Sequence, residues 1–269
     1  GEATGLELAE LIRRRVVSSE EVIRFFLDRI AKRDEKLSSF VQVLGEEAVR
    51  TARQKDKTGP RNADREPFHG VPLGIKDLNF VRGAFTRMGS RAFQNFFSPV
   101  DDRTVERLRG AGFVFLGKTA TSEIGALPVT EPDIHPPTRN PWDLAVSAGG
   151  SSGGAAAAVA GGLLPLAHGS DGGGSVRIPA ALCHLFGFKP SRGRIANAYS
   201  LPDRHILYTD GPLTLSVDDA AAMLDVMAGL TVGKPHWAPE PVRSFLELSR
   251  RPVPRLRIRF TTRTNLCTV

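Results

Sequence analysis

Cysteine is nearly absent from this chain: Cys183 and Cys267 are the only two among 269 residues. Two thiols make neither a disulfide framework nor a metal-ligand set. No run approaches the 18 or so apolar residues of a membrane span. Gly1-Glu2-Ala3 has no basic-then-apolar leader pattern. A reduced, cytoplasmic setting is therefore the expectation. Tryptophan and tyrosine number two each, and they do not interleave with basic residues as they would on a nucleic-acid surface. Acidic residues fail near the end: residues 241–269 hold seven arginines against the single Glu247. That stretch supplies most of the net charge of +7. A local basic segment of this kind reads as a solvated tail or as a segment missing its acidic neighbours, and no nucleic-acid partner is expected.

What is present is globular. Hydrophobic residues make up 41% and charged residues 24% of a length that can bury a sizeable core. Leu6, Leu8, Leu11 and Ile12 share a helical face, and a capping box at Ser18 and Glu21 opens a second helix carrying Val22, Ile23, Phe26 and Ile30. Phe40–Leu44 is strand-like, Gly45 opens a third helix, and residues 57–70 form a polar loop. Val71–Lys76 is a short apolar run ending in lysine. Residues 101–111 form an amphipathic helix stopped by Gly112, and Phe113–Leu116 reads as a buried strand. A proline-rich loop covers 126–143, a strand Leu185–Phe188, and a helix Asp218–Met227 ends before Gly229. Val253–Phe260 alternates apolar and basic residues, predicting a strand with one exposed face. Helix and apolar strand in alternation predict an α/β fold with a helix-covered sheet.

Two serine-bearing glycine clusters dominate the middle: Gly149-Gly150-Ser151-Ser152-Gly153-Gly154 and Gly172-Gly173-Gly174-Ser175. A single cluster of this composition would read as a flexible linker. Between these two, however, lie Ala155–Ala160 and Leu163-Leu164-Pro165-Leu166, which must be buried. Glycine-rich backbone set between buried segments reads as a rigid site where main chain approaches a ligand closely. A phosphate cradle is excluded on motif, because Gly117-Lys118-Thr119 lacks the upstream glycine of a P-loop. The six histidines, at 69, 135, 168, 184, 205 and 236, show no triad pattern with an acid.

Together with Lys76 in Gly74-Ile75-Lys76-Asp77, Gly173–Pro179 (GGSVRIP), Thr138-Arg139-Asn140-Pro141-Trp142 and Gly187-Phe188-Lys189-Pro190, these clusters resemble the amidase signature family, serine hydrolases of amides. The 24-residue separation of Ser151 and Ser175 suits the family, and the resemblance covers almost the whole chain. His184 stands where the family pattern leads one to expect glycine. The resemblance implies Ser175 as nucleophile, Ser151 as bridging proton relay after a cis peptide bond with Gly150, and Lys76 as base. Lysine serves as a base only when neutral, which requires burial. It further implies an oxyanion hole of backbone amides from Gly172, Gly173, Gly174 and Ser175, with Ser152, Asp171 and Arg177 holding the loops; for Asp171 and Arg177 a plain buried ion pair is the alternative. No metal and no cofactor is implied.

The fold expected from the resemblance is a mixed central β-sheet with helices on both sides, incomplete at the C-terminus. Residues 1–269 would be the N-terminal and central part of one domain, since family members are considerably longer. The expected substrate is a small-molecule, non-peptide amide, linear or cyclic, as for bacterial 6-aminohexanoate cyclic dimer hydrolases and aryl acylamidases. No membrane partner is expected, and a homodimer is one candidate assembly. Two other readings stand beside it: the amidase component of a tRNA-dependent amidotransferase, and an inactive truncated remnant. Gly172 replaces the threonine usual in the former. The chain alone is expected to turn over amides poorly.

Overall fold

Caps written into the sequence set the first helices. Thr4 and Ser18 each form a capping box, with Glu7 and Glu21 respectively, at the starts of α1 (Gly5–Arg13) and α2 (Ser19–Leu37). The computed structural model describes residues 3–60, 65–195, 207–231, 237–253 and 255–258. Along them follow β1 (Phe40–Val43), α3 (Gly45–Thr58), β2 (Pro72–Lys76), α4 (Arg103–Gly110) and β3 (Val114–Thr119). A small hairpin, β4 (Arg139–Asn140) and β5 (Asp143–Ser147), precedes α5 (Gly153–Ala160), β6 (Leu166–Asp171) and α6 (Arg177–Leu182). The rest comprises β7 (Phe186–Gly187), β8 (Thr209–Thr214), α7 (Val217–Met227) and α8 (Phe245–Ser249).

Six strands form one mixed sheet in the order β1-β3-β2-β6-β8-β7. β2 runs parallel to both β3 and β6, while the pairings of β1 with β3, β6 with β8 and β7 with β8 are antiparallel. Every residue of β2, β3, β6 and β8 is buried, so neither face of the central sheet meets solvent. The helices supply that cover. α5 is the innermost: residues Gly153–Val159 are all buried, and it packs against β2, β3, β6 and β8. The Ala155–Ala158 run makes this possible, because helix axis and sheet can approach only where side chains are small.

The expected α/β fold with a mixed, helix-covered sheet is what the chain adopts. One expectation is corrected. Val253 and residues 255–258 form no strand, and residues 254, 259 and 260 lie outside the described set. Val253, Leu256 and Ile258 are 73%, 59% and 83% exposed and pair with no described strand, and alternation alone does not supply the ladder bonds. Conversely, β8 is hidden in the sequence by Gly211-Pro212, which reads as a turn. Pro212 nevertheless sits opposite His168 of β6, and its carbonyl accepts from the Phe188 amide at 3.2 Å.

Candidate active site

β2 ends at Lys76, whose side chain is wholly buried. Its ammonium donates to Ser151 Oγ at 2.7 Å, to Ser170 Oγ at 3.1 Å and to the Ser170 carbonyl at 3.3 Å. Ser170 is the penultimate residue of β6, adjacent to β2 in the sheet, which explains its reach. Burial lowers the Lys76 ammonium from its ordinary value to about 7, against the opposing pull of the Asp210 and Asp171 carboxylates.

Ser151 follows a cis peptide bond from Gly150. Thr130 holds this bend: its hydroxyl donates to the Gly149 carbonyl at 2.9 Å and accepts from the Gly153 amide at 3.1 Å. Gly154 must be glycine, because a Cβ there would lie 2.2 Å from the Ala120 nitrogen and 2.5 Å from the Ser39 carbonyl oxygen. The two glycine clusters are joined directly, by the Ser152 amide donating to the Ser175 carbonyl at 3.1 Å. Ser152 also ties back to β6, accepting from the Ser170 amide at 3.3 Å and donating to the Ser170 carbonyl at 3.2 Å.

Asp171 organises the second cluster. Its carboxylate accepts from the backbone amides of Gly174 (2.7 Å), Val176 (3.2 Å) and Arg177 (3.3 Å) and takes two bonds, each 2.9 Å, from the Arg177 guanidinium. Burial alone would push this carboxyl up, but Arg177 and the three amides outweigh it and hold it at about 2. The ion pair and the loop-holding role are thus one arrangement, with the Arg177 side chain half exposed. The same contacts narrow the expected oxyanion donors. The Gly174 amide is committed to Asp171, whereas no described residue accepts from the amides of Gly172, Gly173 or Ser175.

Ser151, Ser170, Gly172, Gly173 and Ser175 line one cavity of about 650 Å³. Lys76, Ser151 and Ser175, chosen from sequence, are therefore brought together. The histidines are placed elsewhere or engaged: His69 pairs with Glu66 at 2.7 Å, and His168 lies 3.5 Å from Asp210 in the sheet interior. His205, His236 and Cys267 fall outside the described residues, and Cys183 is buried with its thiol pushed up to about 12. His184 adopts φ 56°, the left-handed conformation a glycine would favour. Sequence reasoning missed Ser170, Thr130 and the buried Asp210, which accepts from the Thr104 hydroxyl at 2.7 Å. Only the position of Ser170, one residue before Asp171, could have signalled it. Among the described residues no three His, Cys, Asp or Glu side chains group as metal ligands, and no helix is long and apolar enough to cross a membrane.

A family model described as Amidase matches residues 21–268. A provisionally named amidase of Synechocystis sp. is 46% identical over 260 residues, covering 96% of this chain and 51% of that protein. An acylamidase of Rhodococcus erythropolis and one of the subunits of the glutamyl-tRNA(Gln) amidotransferase of Syntrophobacter fumaroxidans are each 39% identical over 252 residues. Those alignments cover 94% of this chain and 53% and 52% of the relatives. A 6-aminohexanoate cyclic dimer hydrolase complexed with substrate superposes with a TM-score of 0.84 at 35% identity, over 93% of this chain and 52% of that one. The chain spans about half the length of the curated relatives it matches.

Proposed function

The chain belongs to the amidase signature family, and from that premise we propose that it carries the reacting groups of an amide hydrolase working through an acyl-enzyme on Ser175. The observation that carries the proposal is the 2.7 Å contact between Ser151 and a fully buried lysine poised near neutrality. A neutral Lys76 can accept the Ser151 proton along that line while Ser151 takes the proton of Ser175. Ser175 Oγ then bonds to the amide carbon and the carbonyl becomes an oxyanion. The amides of Gly172, Gly173 and Ser175, from which no described residue accepts, are its donors, each worth roughly 3–4 kcal/mol when well aimed. Collapse breaks the C–N bond, and the proton returns from Lys76 through Ser151 to the departing nitrogen. Water, activated by the same relay, cleaves the ester and restores Ser175.

Intact-mass labelling with a fluorophosphonate tests this. The parent chain gains one phosphonyl group, while Ser175→Ala and Lys76→Ala gain none. A parent that stays unmodified would speak for the inactive remnant.

The amidotransferase reading rests on the 39% identity to a component of such an enzyme. Gly172 in place of the usual threonine speaks against it. Glutaminase activity dependent on a partner protein and mischarged tRNA would establish it instead.

A further inference from the structure

Directly after β3 the chain makes a tight turn whose backbone its sequence disfavours. Ile124 lies at φ 51°, ψ 17°, the left-handed region that a β-branched side chain rarely occupies. The turn is held from several sides. The Ile124 amide donates to the carbonyl of Met88, itself at φ 52°, at 2.7 Å. The amides of Gly125 and Ala126 close onto the carbonyls of Ser122 and Glu123, and the Leu127 amide reaches Ser122 Oγ at 3.2 Å. The turn also touches the site: a Cβ on Gly125 would meet Leu78 at 2.7 Å and Ser151 Oγ at 3.4 Å. Strained backbone kept by surrounding contacts beside reactive groups is characteristic of functional positions.

The strain has a product. Ile124 and Leu127 stand 49% and 54% exposed on the wall of the cavity that holds Ser175, next to Leu78, Pro128, Ile178 and Leu207. The described wall carries no Asp, Glu, Lys, Arg or His side chain, and its polar groups are Asn79, Tyr208 and the serines. About 650 Å³ is the size of a small-molecule site. Resting on the Ser175 reading above, we propose that the Ser122–Pro128 turn is the specificity element of this site, that it selects neutral amides bearing an apolar substituent of several carbons, and that Ile124 is the residue setting that preference.

The test compares second-order labelling rates of ethyl and octyl fluorophosphonates. The parent reacts faster with the octyl probe by roughly tenfold or more, as apolar contact surface requires. Ile124→Asn accepts the left-handed backbone without the apolar side chain and collapses the octyl-to-ethyl ratio toward one. Leu127→Ser, on the same wall at unstrained backbone, lowers the ratio as well and keeps the test open should the first variant fold poorly. A parent with no octyl preference, or variants that slow both probes alike and keep the ratio, overturns the proposal. Labelling that persists in Ser175→Ala overturns the nucleophile assignment instead, whatever the chain-length preference.

Discussion

On the proposed mechanism, the pH at which Ser175 becomes reactive reports directly on Lys76. Burial sets its titration near 7 instead of the ordinary 10.5. A base acts when unprotonated, so the labelling rate follows the neutral fraction: about 9% at pH 6 and about 91% at pH 8, a tenfold rise followed by a plateau. An unperturbed lysine would give a rise of about a hundredfold over the same interval with no plateau below about pH 10. The assay is fluorophosphonate labelling by intact mass from pH 5 to 10, corrected for probe hydrolysis in buffer. A rate still climbing with unit slope beyond pH 9 would refute the claim that burial neutralises Lys76. A rate independent of pH would refute its role as base.

Four further outcomes follow from the same geometry. The unfolded lysine holds its proton up to about pH 10.5 while the folded one loses it near 7, so the unfolded chain binds more protons in between. Stability therefore rises with pH there, by about 2 kcal/mol from pH 7 to 9, and urea denaturation shows this rise missing in Lys76→Met. Asp210→Asn removes a carboxylate that favours the charged lysine, so the labelling midpoint moves to lower pH; a midpoint that stays or rises contradicts it. Arg177→Gln removes two bonds from Asp171, whose carboxyl then titrates higher, as a carbon-13 carboxyl titration reads out. The depressed Asp171 contributes stability above about pH 4 that is lost as pH falls toward 2, and this acid-side loss shrinks in the variant. Gly154→Ala places a methyl group on Ala120 and Ser39 backbone and costs at least about 1–3 kcal/mol in a denaturant melt, whereas Gly173→Ala meets nothing within 4 Å and keeps the fold.

The site was more legible than the sheet that carries it. Lys76, Ser151 and Ser175 could be named because the linked motifs around them resemble the amidase signature pattern. By themselves, the apolar run ending in lysine and the glycine clusters between buried segments mark only a lysine that can be buried and a rigid stretch of backbone. The capping boxes at Thr4 and Ser18 show why helix starts are readable: each depends on contacts within four residues. β8 depends instead on pairing with β6, some forty residues away, and Gly211-Pro212 conceals it. Ser170 and Asp210 were invisible for the same reason. Their register opposite one another places both near Lys76, and nothing local in either segment announces it. The expected strand at Val253–Phe260 errs in the opposite sense: its described residues carry the local alternation but pair with no described strand.

The two buried lysines of the central sheet show why burial alone does not make a base. Lys76 and Lys118 stand on adjacent parallel strands, both wholly buried and both lowered by it. Lys118 lies 2.9 Å from the Asp77 carboxylate and donates to the Asn79 and Phe85 carbonyls and the Thr86 hydroxyl. The carboxylate and the two carbonyls in that set favour the ammonium, and removing the proton would strand a buried carboxylate. No described carboxylate lies within ion-pairing distance of Lys76. Its partners are two hydroxyls and one carbonyl, and a hydroxyl can reverse its bond to donate to a neutral amine. Asp77 thus opposes the effect of burial on one lysine, whereas its neighbour has hydroxyl partners suited to the proton exchange with Ser151 that the proposed mechanism requires. The difference lies in Asp77, the residue that immediately follows Lys76 and points its charge at the other lysine.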